Sequence, residues 1–434
     1  MQEKTGFGGP GIDNSRNAVG ETKISPDNVN SLTIKYEIPT DNSVSATPVT
    51  FKNNVYFPDW AGFLYSVDAK TGTINWKFKV SEKYLPQPAD PKAISRDTFA
   101  IDPTEQLIVL GTQNPFDGGS GFVMAIDLQG ELVWITLIDD HPYAGITQSP
   151  TIYNGGVYIG VSSSEEEAAA FNPGYVCCTF QGSFAKLDLK TVWGSAPAID
   201  PIKGLVYIST GNNYDVPPDI LDCLSSTNTT EEMFKCHDPK NYINTILALD
   251  INNVPYPDNC PKPSGPDYAC KKHGCPLLAI ATAKSGITWA INAVTGEIYW
   301  YVESGPGRLD GGSLFGSATN KDNYVFKKPS RNSPPSTNGG ALVAIDVLTG
   351  KILWQTANPT NAGGAAPVSY ANGVVWYGSR DDSGHLYALD AETGDILYDF
   401  ITGGTVSCGP SIVDGVVFAG SGYQRFGSET MNNR

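Results

Sequence analysis

The chain has 434 residues, of which 40% are hydrophobic and 11% aromatic, and it contains 46 Gly and 31 Pro. This composition predicts a soluble globular protein with a large core and many tight turns. Its 45 acidic and 29 basic residues give a formal net charge of -16, which disfavours binding to nucleic acid and to anionic membranes. No run of apolar residues is long enough to span a membrane.

A four-strand unit begins near the N-terminus. Alternating residues predict strands over 45–50, 54–58 and 63–67, and the sequence from Val67 to Gly72 (VDAKTG) then predicts a hairpin turn. The Asp side chain can accept a hydrogen bond from the backbone two residues later, and Gly supplies a positive φ. A fourth strand leads to Trp76, whose flat indole can pack on the next unit.

The unit is repeated along the chain. Its turn position occurs seven times in all, and the pairs 406–413 and 416–419 begin an eighth unit. Such units stack around an axis, so we predict one domain over 1–434, an all-β, eight-bladed β-propeller. The strand at 32–38 has no partner of its own, and we expect it to close the ring as the outermost strand of the last blade. The turn residues are Asp68, Asp127, Asp188, Asp250, Asn292, Asp346 and Asp390.

The eight cysteines indicate an oxidising compartment. We expect disulfides in peripheral loops, such as Cys223 with Cys236, and a secreted or periplasmic protein. A glycosylation sequon begins at Asn228. A zinc site is the alternative for three cysteines and a histidine, although no Cys-x-x-Cys pair is present. Those four residues are Cys260, Cys270, His273 and Cys275.

The repeat, together with the segments 14–17 (NSRN) and 24–29 (ISPDNV), resembles the pyrroloquinoline-quinone (PQQ) dehydrogenases. Among these it is most similar to polyvinyl-alcohol-dehydrogenase-like proteins. The resemblance covers essentially the whole chain and implies PQQ-type propeller repeats. The same repeat also builds scaffolds that carry no cofactor.

The segments 146–150 (ITQSP) and 159–165 (IGVSSSE) resemble the family's cofactor-binding block. The resemblance implies that Thr147 and Ser162 bind the quinone carboxylates and that Glu165 ligates calcium, which prefers hard oxygen ligands. The alternative for Glu165 is a solvated acidic loop, because two further glutamates follow it.

The segment 177–183 (CCTFQGS) resembles the family's Cys-Cys-Thr-Phe-Arg-Gly-Ser sequence. The resemblance implies a disulfide between Cys177 and Cys178 that forms a wall beside the cofactor, although each cysteine could instead pair elsewhere. Gln181 stands where the family has Arg, which removes one positive charge near the quinone.

Four further residues complete the site that the resemblance implies. Trp193 stacks under the PQQ plane, and Asn212 is the second calcium ligand. Lys284 places a cation against the quinone oxygens, where it stabilises developing negative charge. Asp238 is the nearest carboxylate to the family's general base, although an Asp before Pro is also an ordinary turn residue.

These residues predict a PQQ- and calcium-dependent dehydrogenase that oxidises a small or polymeric alcohol. No Cys-x-x-Cys-His haem motif occurs in the sequence, so electrons would pass to an external acceptor. The alternative is a cofactor-free or redox-dead propeller that binds a protein, a glycan or another small ligand.

Overall fold

Over the part of the chain that it describes, the computed structural model shows an all-β fold with three short α-helices and one 3-10 turn. In the described residues, no helix is long and apolar enough to cross a membrane. The helices are α1 (Val80–Lys83), α2 (Glu165–Phe171) and α3 (Pro218–Ser225), and the 3-10 turn is Val29–Ser31. The structure describes residues 3–9, 12–86, 91–114, 121–172, 174–189, 198–200, 204–209, 218–227, 229, 232, 235–236, 246–250, 278–293, 295–307, 312, 315–320, 324–327, 338–364 and 366–423.

The strands form antiparallel sheets that follow one another along the chain. The first sheet contains β1 (Val49–Phe51), β2 (Asn54–Pro58), β3 (Phe63–Asp68) and β4 (Ile74–Lys79). The second contains β5 (Ala100–Asp102), β6 (Leu107–Gly111), β7 (Gly121–Asp127) and β8 (Leu132–Asp139). The third contains β9 (Ala144–Gly145), β10 (Thr151–Tyr153), β11 (Gly156–Ser163) and β12 (Ser183–Asp188). The fourth contains β13 (Ala198–Asp200), β14 (Leu205–Ser209) and β15 (Ile246–Asp250).

The second half of the chain continues the same pattern. The fifth sheet contains β16 (Leu278–Thr282), β17 (Ile287–Asn292) and β18 (Ile298–Glu303). The sixth contains β19 (Ala318–Thr319), β20 (Tyr324–Lys327), β21 (Ala341–Asp346) and β22 (Ile352–Ala357). The seventh contains β23 (Ser369–Ala371), β24 (Val374–Gly378), β25 (His385–Asp390) and β26 (Ile396–Ile401). The last pair is β27 (Ser411–Val413) and β28 (Val416–Phe418).

The β-propeller is confirmed, but the prediction of eight four-stranded blades is wrong. Among the described residues, five sheets have four strands, two have three and one has two, so fewer than eight blades are complete. The third and fourth sheets end at β12 and β15. The repeat copies at Asp188 and Asp250 lack the Gly-x-x-x-Trp segment that forms the outer strand elsewhere.

The hairpin turns form with the expected chemistry. Asp68 Oδ1 accepts hydrogen bonds from the amides of Lys70 and Thr71 at 2.9 and 2.8 Å. Gly72 has a φ of 76°, which residues with a Cβ rarely adopt. The turn therefore needs both an acceptor at its first position and a glycine. The same carboxylate contacts recur at Asp127, Asp346 and Asp390.

The repeat tryptophan joins each sheet to the next. Trp76 Nε1 donates to the carbonyl of Leu128 at 2.9 Å, and Leu128 directly follows the turn aspartate of the second sheet. A Cβ at Gly130 would lie 2.5 Å from the ring of Phe78, which stacks on Trp76, so the glycine makes room for this aromatic pair. The equivalent indole donors are Trp134, Trp300 and Trp354.

The segment 32–38 closes the ring, although not as the predicted outer strand. The structure describes all of these residues, and none belongs to a strand. Tyr36 instead takes the place of a repeat tryptophan: its hydroxyl donates to the carbonyl of Ala69 at 2.9 Å, and its ring lies where a Cβ on Gly72 would collide with it. On the other side of the segment, Tyr398 donates to the carbonyl at position 32 at 3.0 Å. Side-chain contacts therefore replace the expected backbone pairing.

The hydrophobic core lies between the faces of neighbouring sheets. One cluster joins the first two sheets and includes Tyr56 and Met124, both 0% exposed. Another joins the last strands to the first sheet through Val413, Phe418 and Tyr65. Because the last sheet packs on the first, the stack forms a closed ring.

Residues 3–9 and 12–24, here called the N-terminal plug, cross the shaft inside the ring. Lys4 forms a β-bridge with Thr50 of β1, and Asn17 forms one with Tyr370 of β23. These partners lie on the innermost strands of sheets far apart in the chain. The plug therefore connects several sheets. Its further contacts are Thr5 O with Ile101 N (2.7 Å), Ser15 O with Thr319 N (2.9 Å) and Glu21 Oε2 with Gly415 N (2.9 Å).

Candidate active site in the central shaft

A cavity of about 420 Å³ occupies the shaft. Most of its walls are residues that come just before the innermost strand of a sheet, including Thr47, Thr98 and Thr147. Phe7 and Asn14 of the N-terminal plug also line it. The cavity has the size of a small-molecule site and is built by parts of the chain that only the ring brings together.

Two predicted cofactor-binding residues meet at this cavity. Thr147 lines it, and Thr147 Oγ1 lies 2.9 Å from Ser162 Oγ. Ser162 Oγ also donates to the carbonyl of Gly145 at 3.1 Å. The short strand β9 pairs Gly145 with Ser162, which fixes the two hydroxyls together at the end of β11. They form a neutral hydrogen-bonding pair at the edge of the cavity.

Glu165 is fully buried at the start of α2 and accepts four hydrogen bonds. Oε1 accepts from the Tyr175 hydroxyl at 2.5 Å, from Thr179 N at 2.9 Å and from Thr179 Oγ1 at 3.0 Å. Oε2 accepts from Phe180 N at 2.8 Å. Burial raises the pKa of Glu165, but these hydrogen bonds outweigh it and bring the pKa down to about 2. The side chain is therefore an ionised, buried carboxylate and not part of a solvated acidic loop.

Cys177 and Cys178 form the predicted disulfide with one another. Both are half-buried, and the two residues that follow them donate their amides to Glu165. The ionised carboxylate thus holds the chain directly after the disulfide. Neither cysteine lines the 420 Å³ cavity, so the role of this disulfide as a wall beside the cofactor stays a prediction.

The second expected disulfide, between Cys223 and Cys236, is also formed. Cys408 contradicts the expectation that the remaining cysteines lie in peripheral loops. It is a fully buried thiol whose Sγ lies 3.0 Å from the carbonyl of Ala46, where the last sheet meets the first. A thiol is a small hydrophobic group, which suits this packed position.

Lys284 lies in the β16–β17 loop and is partly exposed. This loop joins β16 to β17, the strand that runs into the Asn292 turn, as the chain from α2 to Cys178 joins β11 to β12, the strand that ends at Asp188. The two loops therefore lie at the same end of the propeller. Other predicted residues fall outside the described ranges: Trp193, Asn212, Asp238, Asn228, Cys260, Cys270, His273 and Cys275.

Arg96 is a cavity residue that the sequence reasoning missed. It lines the shaft, and Arg96 Nη1 donates to the Tyr423 hydroxyl at 3.1 Å. The guanidinium lies 5.6 Å from the centre of the Trp60 ring. Arg96 Nε is buried and has no hydrogen-bond partner in the described part of the chain. The side chain as a whole is part-buried, and a guanidinium in the wall of a cavity favours an anionic ligand.

The position of Arg96 follows from an alignment of the repeats, in which the next residue, Asp97, matches Gln148. Asp97 Oδ2 accepts from Gly111 N at 2.9 Å, just as Gln148 Oε1 accepts from Gly160 N at 2.9 Å in the following sheet. Arg96 therefore stands one sheet earlier at the repeat position of Thr147. Burial raises the pKa of Asp97 to about 7. Aligning the repeats on the residues before each innermost strand gives this match.

Lys327 supports the loop that carries Lys284. It is 0% exposed, and Lys327 Nζ donates to the carbonyl of Gly286 at 2.8 Å and to Ser304 Oγ at 2.6 Å. No carboxylate pairs with it among the described residues. Burial lowers the pKa of Lys327 to about 7.

We expect this buried lysine to make stability depend on pH. Between pH 7 and about 10 the unfolded lysine is protonated while the folded one is neutral, so stability rises with pH at up to about 1.4 kcal/mol per unit. Urea unfolding across this range should show a smaller rise for Lys327→Met than for the wild type. The exposed Lys351→Met is the control. Equal slopes for all three proteins would contradict the prediction.

Comparison with known proteins agrees with this architecture. The chain belongs to the PQQ_2 repeat family, whose model is described as outer membrane protein assembly factor BamB and matches residues 8–216, 277–366 and 338–430. The similarity to polyvinyl-alcohol-dehydrogenase-like quinoproteins is thereby confirmed.

Two curated relatives extend over most of the chain. The polyvinylalcohol dehydrogenase of Pseudomonas sp is 26% identical, over 98% of this chain and 73% of the relative. That of Sphingopyxis sp. (strain 113P3) is 25% identical, over 92% of this chain and 69% of the relative. The quinohemoprotein alcohol dehydrogenase ADHIIG of Pseudomonas putida HK5 shares the fold, with a TM-score of 0.67 at 17% identity over 96% of this chain and 76% of that one.

Proposed function

We propose that this chain is a quinoprotein alcohol dehydrogenase that binds PQQ in the central cavity. The observation that carries the proposal is the cationic side chain of Arg96, which lines the same cavity as Thr147. The similarity to polyvinylalcohol dehydrogenases over most of the chain gives the reaction class.

The polar groups of the cavity suit PQQ. PQQ is a flat tricyclic quinone with three carboxylates, and carboxylates need cationic and hydroxyl donors. Arg96 supplies the cation, and the Thr147–Ser162 pair supplies hydroxyl donors. Arg96 would also supply the cavity with a positive charge that Gln181, which stands where the resemblance implies an arginine, does not. The volume of about 420 Å³ lies within the range of small-molecule sites.

Calcium is the metal that we propose for the site. Glu165 is ionised, and within the described part of the chain its Oε2 accepts a single hydrogen bond, from Phe180 N, which leaves this oxygen the capacity to coordinate a cation. Asn212 is the proposed second ligand. Glu165 would then both ligate the metal and anchor the chain that follows the disulfide.

PQQ, when bound, accepts a hydride from the carbinol carbon of the alcohol. The protein's own residues would hold the reactants and move the proton. Lys284 would stabilise negative charge on the quinone oxygens, and Asp238 would accept the proton of the alcohol hydroxyl. Arg96 and Thr147 would fix the orientation of the cofactor through its carboxylates.

The substrate class that we propose is a secondary alcohol, including those along a polymer, because the most extensive relatives act on polyvinyl alcohol by name. Electrons would pass to a separate acceptor. The two disulfides suit a secreted or periplasmic protein that carries glycan at Asn228 where that modification is available.

The test is reconstitution with PQQ and Ca²⁺ followed by dye reduction over a panel of primary, secondary and polymeric alcohols. We expect dye reduction that needs PQQ and is fastest with secondary alcohols. PQQ binding without turnover would support a redox-dead propeller. The absence of both binding and turnover would support a cofactor-free binding module.

A further inference from the structure

Phe315 is a large apolar residue that stays exposed inside the propeller. It lines the 420 Å³ cavity of the shaft, and it is 43% exposed. Apolar surface in contact with water is unfavourable, and an aromatic side chain gains most when its ring packs on another apolar group. The exposed part of this residue is therefore a surface that a ligand in the shaft would cover.

The backbone of Phe315 is strained. Its φ is 68°, in the left-handed region that a bulky residue rarely adopts. The equivalent residues of the second and third sheets are Asp97 and Gln148, because each of the three residues stands three positions before the innermost strand of its sheet. Asp97 and Gln148 accept an amide hydrogen bond from their own sheets, and neither has a positive φ. Phe315 therefore departs from the repeat in both conformation and role.

The chain directly after Phe315 is fixed from two sides. The carbonyl of Gly316 accepts a hydrogen bond from Val368 N, which belongs to the seventh sheet, at 3.1 Å. Thr319 N donates to the carbonyl of Ser15 in the N-terminal plug at 2.9 Å. A strained residue persists where its surroundings fix it, and such strain is concentrated at binding and catalytic sites.

The other aromatic side chains of the cavity already have partners. The Arg16 guanidinium lies 4.1 Å from the centre of the Phe7 ring. Tyr423 makes an edge contact with Trp60, with 5.3 Å between the ring centres. Among the residues that the structure describes, Phe315 has no aromatic or cationic contact of this kind. Its ring is therefore available to a ligand.

We propose that Phe315 is a binding residue for the cofactor, whose tricyclic system packs against the phenyl ring, and that the strained backbone holds this ring in the cavity. The inference rests on the proposed function, because it takes PQQ as the ligand of the shaft. Aromatic side chains pack favourably on flat conjugated rings. Phe315 would add an apolar contact to the polar contacts of Arg96 and Thr147, and an aromatic contact to the one expected from Trp193.

The test is isothermal titration of PQQ, with calcium present, into Phe315→Leu and Phe315→Tyr. Leucine keeps an apolar side chain but has no aromatic ring, so we expect the PQQ affinity to fall by about 10-fold. Tyrosine keeps the ring, and its affinity should stay within about threefold of the wild type. Phe400→Leu is the matched control and should not change the affinity, because Phe400 lies on β26, the outermost strand of the seventh sheet, and does not line the cavity.

The possible failures are distinguishable. Wild-type affinity in Phe315→Leu, or an equal loss in Phe315→Tyr, would overturn the role of the phenyl ring and leave the proposed function intact. A wild-type protein that does not bind PQQ would overturn the proposed function and this inference together.

Thermal unfolding without PQQ tests the strained backbone separately. Phe315→Gly and Phe315→Ala both remove the phenyl ring, but only glycine adopts a φ of 68° without strain. We therefore expect the glycine variant to have the higher Tm, by about 1 °C. At the equivalent position, Gln148→Ala should have a higher Tm than Gln148→Gly, because Gln148 has no positive φ. A higher Tm for Phe315→Ala than for Phe315→Gly would contradict the claim that a strained backbone holds the ring in the cavity.

Discussion

Arg96→Met should weaken PQQ binding by about 100-fold. The substitution removes a part-buried cation from the wall of the cavity, and a hydrogen bond to a charged group contributes about 1.5–3 kcal/mol. Isothermal titration with PQQ in the presence of calcium measures the change. Thermal unfolding of the same samples checks that the fold is retained.

Arg380→Met is the matched control for Arg96. The Arg380 guanidinium lies 5.8 Å from the centre of the Tyr423 ring, and the same tyrosine accepts a hydrogen bond from Arg96. Arg380 does not line the cavity. Its removal should change the PQQ affinity by less than about threefold. Equal losses for the two variants would mean that Arg96 acts through the aromatic cluster and not through contact with the cofactor.

Glu165→Ala should destabilise the protein by on the order of 3 kcal/mol at pH 7. The change removes a charged acceptor from the Tyr175 hydroxyl and from the amides of Thr179 and Phe180. These donors are only part-buried, and a hydrogen bond to a charged group contributes about 1.5–3 kcal/mol. Urea unfolding measures the loss. The exposed neighbour Glu166→Ala is the control and should change stability little.

The effect of Glu165 should also depend on pH. Its folded pKa of about 2 lies below that of an unfolded glutamate, about 4.3, so the folded state favours the ionised form. Its contribution is therefore complete above about pH 4.3 and disappears as the pH falls towards 2. The difference between wild type and Glu165→Ala should shrink over this range. A stability difference between the two proteins that stays constant from pH 7 to pH 2 would contradict the assignment of Glu165 as an ionised carboxylate that holds residues 179 and 180.

The sequence predicts those parts of the fold that depend on local chemistry. The turn at Asp68 and the packing of Trp76 on the next sheet follow from residue type and spacing, and both are confirmed. The sequence also predicts that the segment 32–38 closes the ring. Its conformation differs from the expected strand, because Tyr36 makes the contact through its side chain.

Other features could not be read from spacing. The N-terminal plug meets the sheets largely through backbone groups, which every residue carries, so no residue type marks it. The disulfide of Cys177 with Cys178 follows from the resemblance. The hydrogen bonds from the two residues after this disulfide to Glu165 appear only in three dimensions. Arg96 was detectable only by aligning the repeats on the residues before each innermost strand.

The central claim is that the shaft cavity binds PQQ, and titration of the wild-type protein with PQQ at millimolar-range calcium tests it most directly. Calorimetry and the absorbance of the quinone should both report one site per chain with micromolar or tighter affinity. The absence of both heat and absorbance change under these conditions would contradict the claim.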